Sequence, residues 1–124
     1  MNPSLQSAGS LRTASLRQIR LPVSDLERSL RFYRGTLGLE MVWLTEVEAS
    51  LRCGAVDLTL VRSPSRRGDC RLELLVTDPG ERDMLRARLL ASAAPAALRP
   101  EPGPEPGSVM IVDPDGNEIV VKML

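Results

Sequence analysis

The chain of 124 residues contains no histidine. That removes imidazole from acid–base catalysis and from metal ligation alike. Its three aromatic residues, Phe32, Tyr33 and Trp43, are too few for a base-stacking platform. Excess charge of either sign is also missing, because 16 basic residues meet 16 acidic ones. The electrostatic footprint of a nucleic-acid binder is therefore absent, and no nucleic-acid partner is expected. Lysine is nearly absent: apart from Lys122, every basic residue is arginine. The skew fits either planar anion recognition or a coding bias expressed on an exposed surface. Two cysteines, Cys53 and Cys70, make no disulfide scaffold and read as reduced, partly buried thiols. No apolar run approaches the ~20 residues of a membrane span, and the opening MNPSLQSAGSLRTAS has no signal-peptide core. The expectation is a cytoplasmic protein with no membrane partner, preceded by a flexible tail over residues 1–15.

What is present suits one domain with a real core, since 43% of the residues are hydrophobic. The segment LRQIRLPV, residues 16–23, alternates: Ile19, Leu21 and Val23 share one face, and Gln18 and Arg20 the other. This is the pattern of a half-buried strand. Ser24-Asp25-Leu26-Glu27 then reads as a capping box that starts a helix. Leu26, Leu30, Tyr33 and Leu37 form its apolar stripe, and Gly38 ends it. Strand candidates follow at Glu40–Glu46, Glu48–Cys53 and Ala55–Arg62.

The same grammar restarts at Cys70. RLELLV reads as a strand, and Asp78-Pro79 starts a second helix with Met84, Leu85 and Leu89 on its apolar face. A weak strand signal lies around Ala96–Arg99. The prolines of RPEPGPEPG speak against regular pairing there. Ser108–Val112 and Glu118–Met123 close the chain as strands, joined by the turn Asp113-Pro114-Asp115-Gly116-Asn117. Val23-Ser24-Asp25 and Val76-Thr77-Asp78 mark equivalent points 53 residues apart. The expected fold is α+β: duplicated βαβββ modules, about residues 16–62 and 70–124, in one domain spanning 16–124.

IRLPVSDLERSLRFYRGTLGLEMVW near the start and VMIVDPDGNEIVV near the end resemble the glyoxalase / bleomycin resistance / extradiol dioxygenase superfamily, also called vicinal oxygen chelate. The resemblance implies a cup-shaped, partly open eight-stranded sheet with helices outside. It also implies four positions that hold metal ligands in metal-dependent members. Carried over one at a time, they fall on Gln18, near Leu58, on Arg71 and on Val120. None keeps a ligand type, and a guanidinium at one of them repels a cation. The likeness therefore points to the metal-free branch, with no metal and no cofactor, and to a homodimer.

Strand parity read with this likeness directs Gln18, Arg20, Leu58, Leu60, Arg71, Glu73, Leu75, Val120 and Lys122 into the cup. Trp43 is open between core, dimer contact and cavity wall. It is the residue suited to stacking on a planar ligand. An apolar floor with a few converging charges suits a small-molecule pocket. The expected partner is a small organic molecule, antibiotic-like or biosynthetic, whose anionic or carbonyl oxygen Arg20 and Arg71 would read. Two alternatives stand beside capture without turnover. One is a metal-independent lyase, isomerase or cyclase with Glu73 as candidate base. The other is a non-catalytic interaction module.

Overall fold

The computed structural model describes residues 9–64, 68–91, 101–103 and 105–124. Residues 9–17 carry no regular element and are exposed. β1 (Gln18–Val23) follows, with Leu21 and Val23 buried and Gln18 and Arg20 exposed, as the alternation requires. α1 (Leu26–Leu30) comes next, then β2 (Glu40–Leu44), β3 (Glu48–Cys53) and β4 (Val56–Arg62). The second half contains β5 (Arg71–Val76), α2 (Pro79–Ala91), β6 (Glu101–Pro102), β7 (Val109–Val112) and β8 (Glu118–Met123). The class is α+β.

The eight strands divide into two four-stranded sheets of identical plan, ordered β1-β4-β3-β2 and β5-β8-β7-β6. In each, the first strand lies parallel to the last and the remaining pairs are antiparallel. The expected cup is thus made from two sheets, and no barrel closes. One apolar core joins them. Leu21, Val23, Leu51 and Leu60 from the first sheet meet Val109, Ile111, Ile119 and Val121 from the second, covered by Leu26, Phe32, Leu85 and Leu89 of the helical segments.

Local chemistry departs from the sequence reading in four places. The first helix is capped by Asp25 rather than Ser24: the Arg28 N–H donates to Asp25 Oδ1 at 3.1 Å. Ser24 has another use, its backbone N–H donating to Asp115 Oδ1 at 3.0 Å. After Leu30 the helix widens into a π-helical segment, Arg31–Thr36, closed by Leu37 N–H to Phe32 O. The wider turn accompanies burial of two consecutive aromatics, Phe32 and Tyr33, whose rings meet edge to face with centroids 4.9 Å apart. Gly38 then takes φ +80°, open to glycine at little cost.

In α2, Leu85 and Leu89 are buried but Met84 is 65% exposed. Neighbouring positions on a helix point about 100° apart, so Leu85 excludes Met84 from the face it shares with Leu89. The proline-rich segment, expected to stay unpaired, contributes Glu101 and Pro102 to an edge, opposite Met110 and Val109. An edge tolerates the missing proline N–H. The weak signal at Ala96–Arg99 lies outside the described residues.

The closing turn is the polar joint of the fold. Asp113 is buried and accepts from Tyr33 Oη (2.5 Å), Asn117 N (2.7 Å), Asn117 Nδ2 (2.9 Å) and Asp115 N (2.9 Å). Asn117 Oδ1 accepts from Cys70 N–H, and Asp115 O from Gly68 N–H. Gly68 passes so close that an added Cβ would lie 2.6 Å from Asp115 O. Through Tyr33, Ser24 and Ser29, the turn fastens the first half to the second.

Burial, helped by the Asp113 carboxylate, pushes the Tyr33 phenol far above its ordinary pKa. A folded value above the unfolded one means full stabilisation below pH ~10. That stabilisation is lost as pH rises further, because only the unfolded chain then releases the proton. Tyr33 is the single tyrosine, so phenolate absorbance should appear only as the protein unfolds. The Tyr33→Phe variant should show a shallower alkaline stability slope, by about 1.4 kcal/mol per pH unit. A phenolate titrating at its ordinary pH in folded protein would contradict this.

Candidate functional site

Helices cover one face of each sheet, and pairing register decides which side chains occupy the other. On the first sheet two rows cross the helix-free face. Arg20 stands opposite Thr59, Thr59 opposite Ser50, and Ser50 opposite Trp43. In the second row Gln18 stands opposite Asp57, Asp57 opposite Arg52, and Arg52 opposite Glu40. Gln18 Nε2 donates to Thr59 Oγ1 at 3.0 Å, and the Ser50 and Thr59 hydroxyls are 3.1 Å apart. Both hydroxyls are fully buried and both are satisfied. That is the condition for burying polar groups without a large penalty.

Charges on this face are closed into pairs. Arg20 Nη2 lies 2.6 Å from Glu48 Oε1, and Arg52 Nε lies 3.0 Å from Asp57 Oδ1. The hydrogen bond and charge of Glu48 raise the Arg20 pKa further. Trp43 reaches this face through a register shift between Met41 and Trp43. Simple alternation would place Trp43 with Met41, on the core side. The extra residue, Val42, turns the indole to the helix-free face, where it is 38% exposed.

Leu58 and Leu60, expected in the cup, are core residues. Leu58 stands opposite Ile19, and Leu60 opposite Leu21. Parallel partners share a face, so both leucines lie under the helix, 4% and 0% exposed. The residues between and beside them, Asp57, Thr59 and Val61, occupy the site face instead.

On the second sheet the expected parity stands. Arg71 lies opposite Glu118, Glu73 opposite Val120, and Leu75 opposite Lys122. Val120 is in turn opposite Met110. Val120 is fully buried yet lies outside the apolar core cluster, shielded on the helix-free side. Arg71 Nε lies 3.7 Å from Glu118 Oε1, and Lys122 Nζ lies 2.8 Å from Glu105 Oε1. The bond to Glu105, and the charges of Glu105 and Glu73, raise the Lys122 pKa against a smaller desolvation effect. Glu73 has no ion-pair partner within bonding distance among the described residues.

The structure therefore gathers Gln18, Arg20 and Trp43 on one face, and Arg71, Glu73 and Val120 on another. Among the described residues no hydrogen bond or ion pair joins the two sets. Charge balance does not call for an anion between Arg20 and Arg71, because each guanidinium already has a carboxylate. The donors also fit a divalent cation poorly. Gln18 offers an amide, Arg71 a positive charge and Val120 a hydrocarbon, while Asp57, the nearby acid, is committed to Arg52. Among the described residues no group of three Asp, Glu or Cys side chains is placed to hold a metal ion. Sequence reasoning missed Glu48, Ser50, Asp57 and Thr59. No local signal identified them, because the faces of β3 and β4 follow from a strand pairing that only the folded sheet defines.

Comparison with known proteins follows the same outline. The profile of the Glyoxalase/Bleomycin resistance protein/Dioxygenase superfamily matches residues 15–121. TnmS3, an antibiotic binding protein from Streptomyces sp. CB03234, superposes with a TM-score of 0.71 at 26% identity, over 92% of this chain and 98% of that one. A lactoylglutathione lyase from Agrobacterium tumefaciens gives 0.68 at 25% identity, over 88% and 93%. The bleomycin-binding protein of Streptomyces verticillus, in complex with copper(II)-bleomycin, shares the fold at 20% identity and a TM-score of 0.70, over 90% and 98%. No curated protein sequence matches the chain. Among the described residues no helix is long and apolar enough to cross a membrane.

Proposed function

This chain belongs to the Glyoxalase/Bleomycin resistance protein/Dioxygenase superfamily, and we propose that it captures a small organic molecule on the helix-free faces of its sheets, without a metal. The observation that carries the reading is the row Arg20–Thr59–Ser50–Trp43. Its two accessible ends, the charge-compensated Arg20 guanidinium and the half-exposed Trp43 indole, flank buried hydroxyls that are already satisfied. Such a surface suits a planar, antibiotic-like compound that stacks on Trp43 and presents a carbonyl oxygen to the spare N–H groups of Arg20. A compound with a full negative charge suits it less, because Glu48 and Glu118 already face the guanidiniums.

Capture is favoured over turnover. Glu73, the candidate base, has no hydrogen-bond partner to orient it among the described residues, and a general base needs a held geometry. The antibiotic-binding neighbour at 26% identity supports the same class of partner. A homodimer in the cytoplasm completes the proposal. Its support is the outer edge of the first sheet, where Val42 and Leu44 flank Trp43 and all three are exposed.

The test is fluorescence of the single tryptophan. Titration with a planar tricyclic quinone and with bleomycin should quench Trp43. The Trp43→Ala variant, followed by calorimetry, should lose about tenfold in affinity, the scale of one aromatic stack. Absence of quenching, together with no bound organic mass on protein isolated from its own cell extract, would sink the reading. Stoichiometric zinc, nickel or iron that disappears in the Gln18→Ala variant would overturn its metal independence.

A further inference from the structure

A cavity of about 470 Å³ lies at the seam between the two halves and shares only Arg52 and Leu75 with the helix-free faces. Its walls come from the Leu37–Leu39 loop, the Arg52–Gly54 turn, the end of β5 and the Glu81–Arg88 face of α2. The volume is within the range of small-molecule sites. Most of the lining is aliphatic, and Met84 and Leu75 hold apolar surface at the rim, 65% and 56% exposed.

The charged groups in it are few and unequal. Arg52 is committed to Asp57. Arg88 gives Nη1 to the carbonyl oxygen of Thr36 at 2.7 Å, and no carboxylate pairs with it among the described residues. Glu81, two helical turns away on the same face, is about 10 Å distant along the axis and cannot neutralise it. Arg88 is thus a guanidinium anchored through one nitrogen to a neutral acceptor. Its remaining N–H groups sit at the edge of an aliphatic cavity. Guanidinium donors match a carboxylate in geometry and charge.

We infer that this cavity binds an amphipathic monocarboxylate, with its carboxylate on Arg88 and its hydrocarbon body against Leu37, Leu39, Leu74 and Met84. The site uses neither Arg20 nor Trp43, the residues that carry the organic-ligand capture proposed above.

Cys53 lines the same cavity and is half-buried, which makes it a reporter. In a Cys70→Ser background it is the remaining thiol, and its alkylation by iodoacetamide can be followed by mass. Octanoate, below its micellar concentration, should slow that alkylation at least tenfold. Octylamine and octanol at equal concentration should protect much less. In the Arg88→Gln variant the preference for the carboxylate should vanish while the circular dichroism stays unchanged. If that variant does not fold, the Arg88 Nε resonance of the otherwise unaltered chain should shift on octanoate addition and not on octylamine addition. No protection by octanoate, equal protection by octylamine, an unmoved Arg88 resonance, or selectivity retained without Arg88 would each overturn the inference.

Discussion

Replacing Asp113 by alanine should destabilise the protein by about 3–5 kcal/mol, read as a fall in urea midpoint at constant slope. One carboxylate, 1% exposed, accepts from four donors: the Tyr33 hydroxyl, the Asn117 amide side chain and the backbone N–H groups of Asp115 and Asn117. Alanine strands all of them where water has little access, and each buried unsatisfied donor costs about 1–3 kcal/mol. Local relaxation recovers part of the sum. The loss is not confined to the turn, because Tyr33 belongs to the first half of the chain and Asp113 to the second. Asp113→Asn should cost less. It keeps an acceptor oxygen but presents an N–H₂ to a ring of donors, so Tyr33 or Asn117 must turn away. Asp115→Ala removes the acceptor of Ser24 N–H and of Ser29 Oγ and should fall below both. A loss under 1 kcal/mol for Asp113→Ala would mean that the apolar core alone joins the two halves.

That joint shows where the sequence was legible and where it was not. Alternation in residues 16–23 and 71–76 identified β1 and β5 and their buried faces, because each strand is covered by helix on one side alone. Asp-Pro-Asp-Gly-Asn identified a turn, because those residue types favour tight reversal locally. Nothing local said that the turn's carboxylates would be buried against Tyr33, some 80 residues away. That contact follows from how the halves pack. The proline-rich stretch was legible as an interruption, but whether an edge strand would tolerate Pro102 depended on which strand lay beside it.

The site divides along the same line. Gln18, Arg20, Arg71, Glu73 and Val120 were placed on the correct faces by period two within single strands. Trp43 could not be placed, since the bulge after Met41 inverts parity midway along β2. β4 was read in the wrong phase. Leu58-Thr59-Leu60 is consistent with either assignment until its partners are known, and a shift of one residue exchanges the two faces completely. The closed pairs Arg20–Glu48 and Arg52–Asp57 were equally invisible, because each joins different strands through a register that only the folded sheet defines.

The phase of β4 carries the second large effect. Leu60→Ala should destabilise the protein by about 2–5 kcal/mol, the range for truncating a fully buried leucine in a core that collapses only partly. Leu60 is 0% exposed, sits opposite Leu21 and Ala49, and belongs to the cluster closed by Leu26 and Phe32. The methyl groups it would lose face the helix. The remaining folded fraction should therefore bind a planar probe as tightly as the unaltered chain. Gln18→Ala supplies the opposite pattern. Gln18 is exposed at the start of β1, so its loss should cost at most about 1–2 kcal/mol, mainly through the Thr59 hydroxyl it leaves with one partner fewer. Its effect on probe binding should be the larger of the two, because it lies on the face that carries Arg20 and Trp43. Chemical denaturation and calorimetric titration of both variants separate the assignments. If Leu60→Ala weakened binding while leaving the denaturation midpoint in place, Leu60 would face the ligand and the register argued here for β1 and β4 would be wrong.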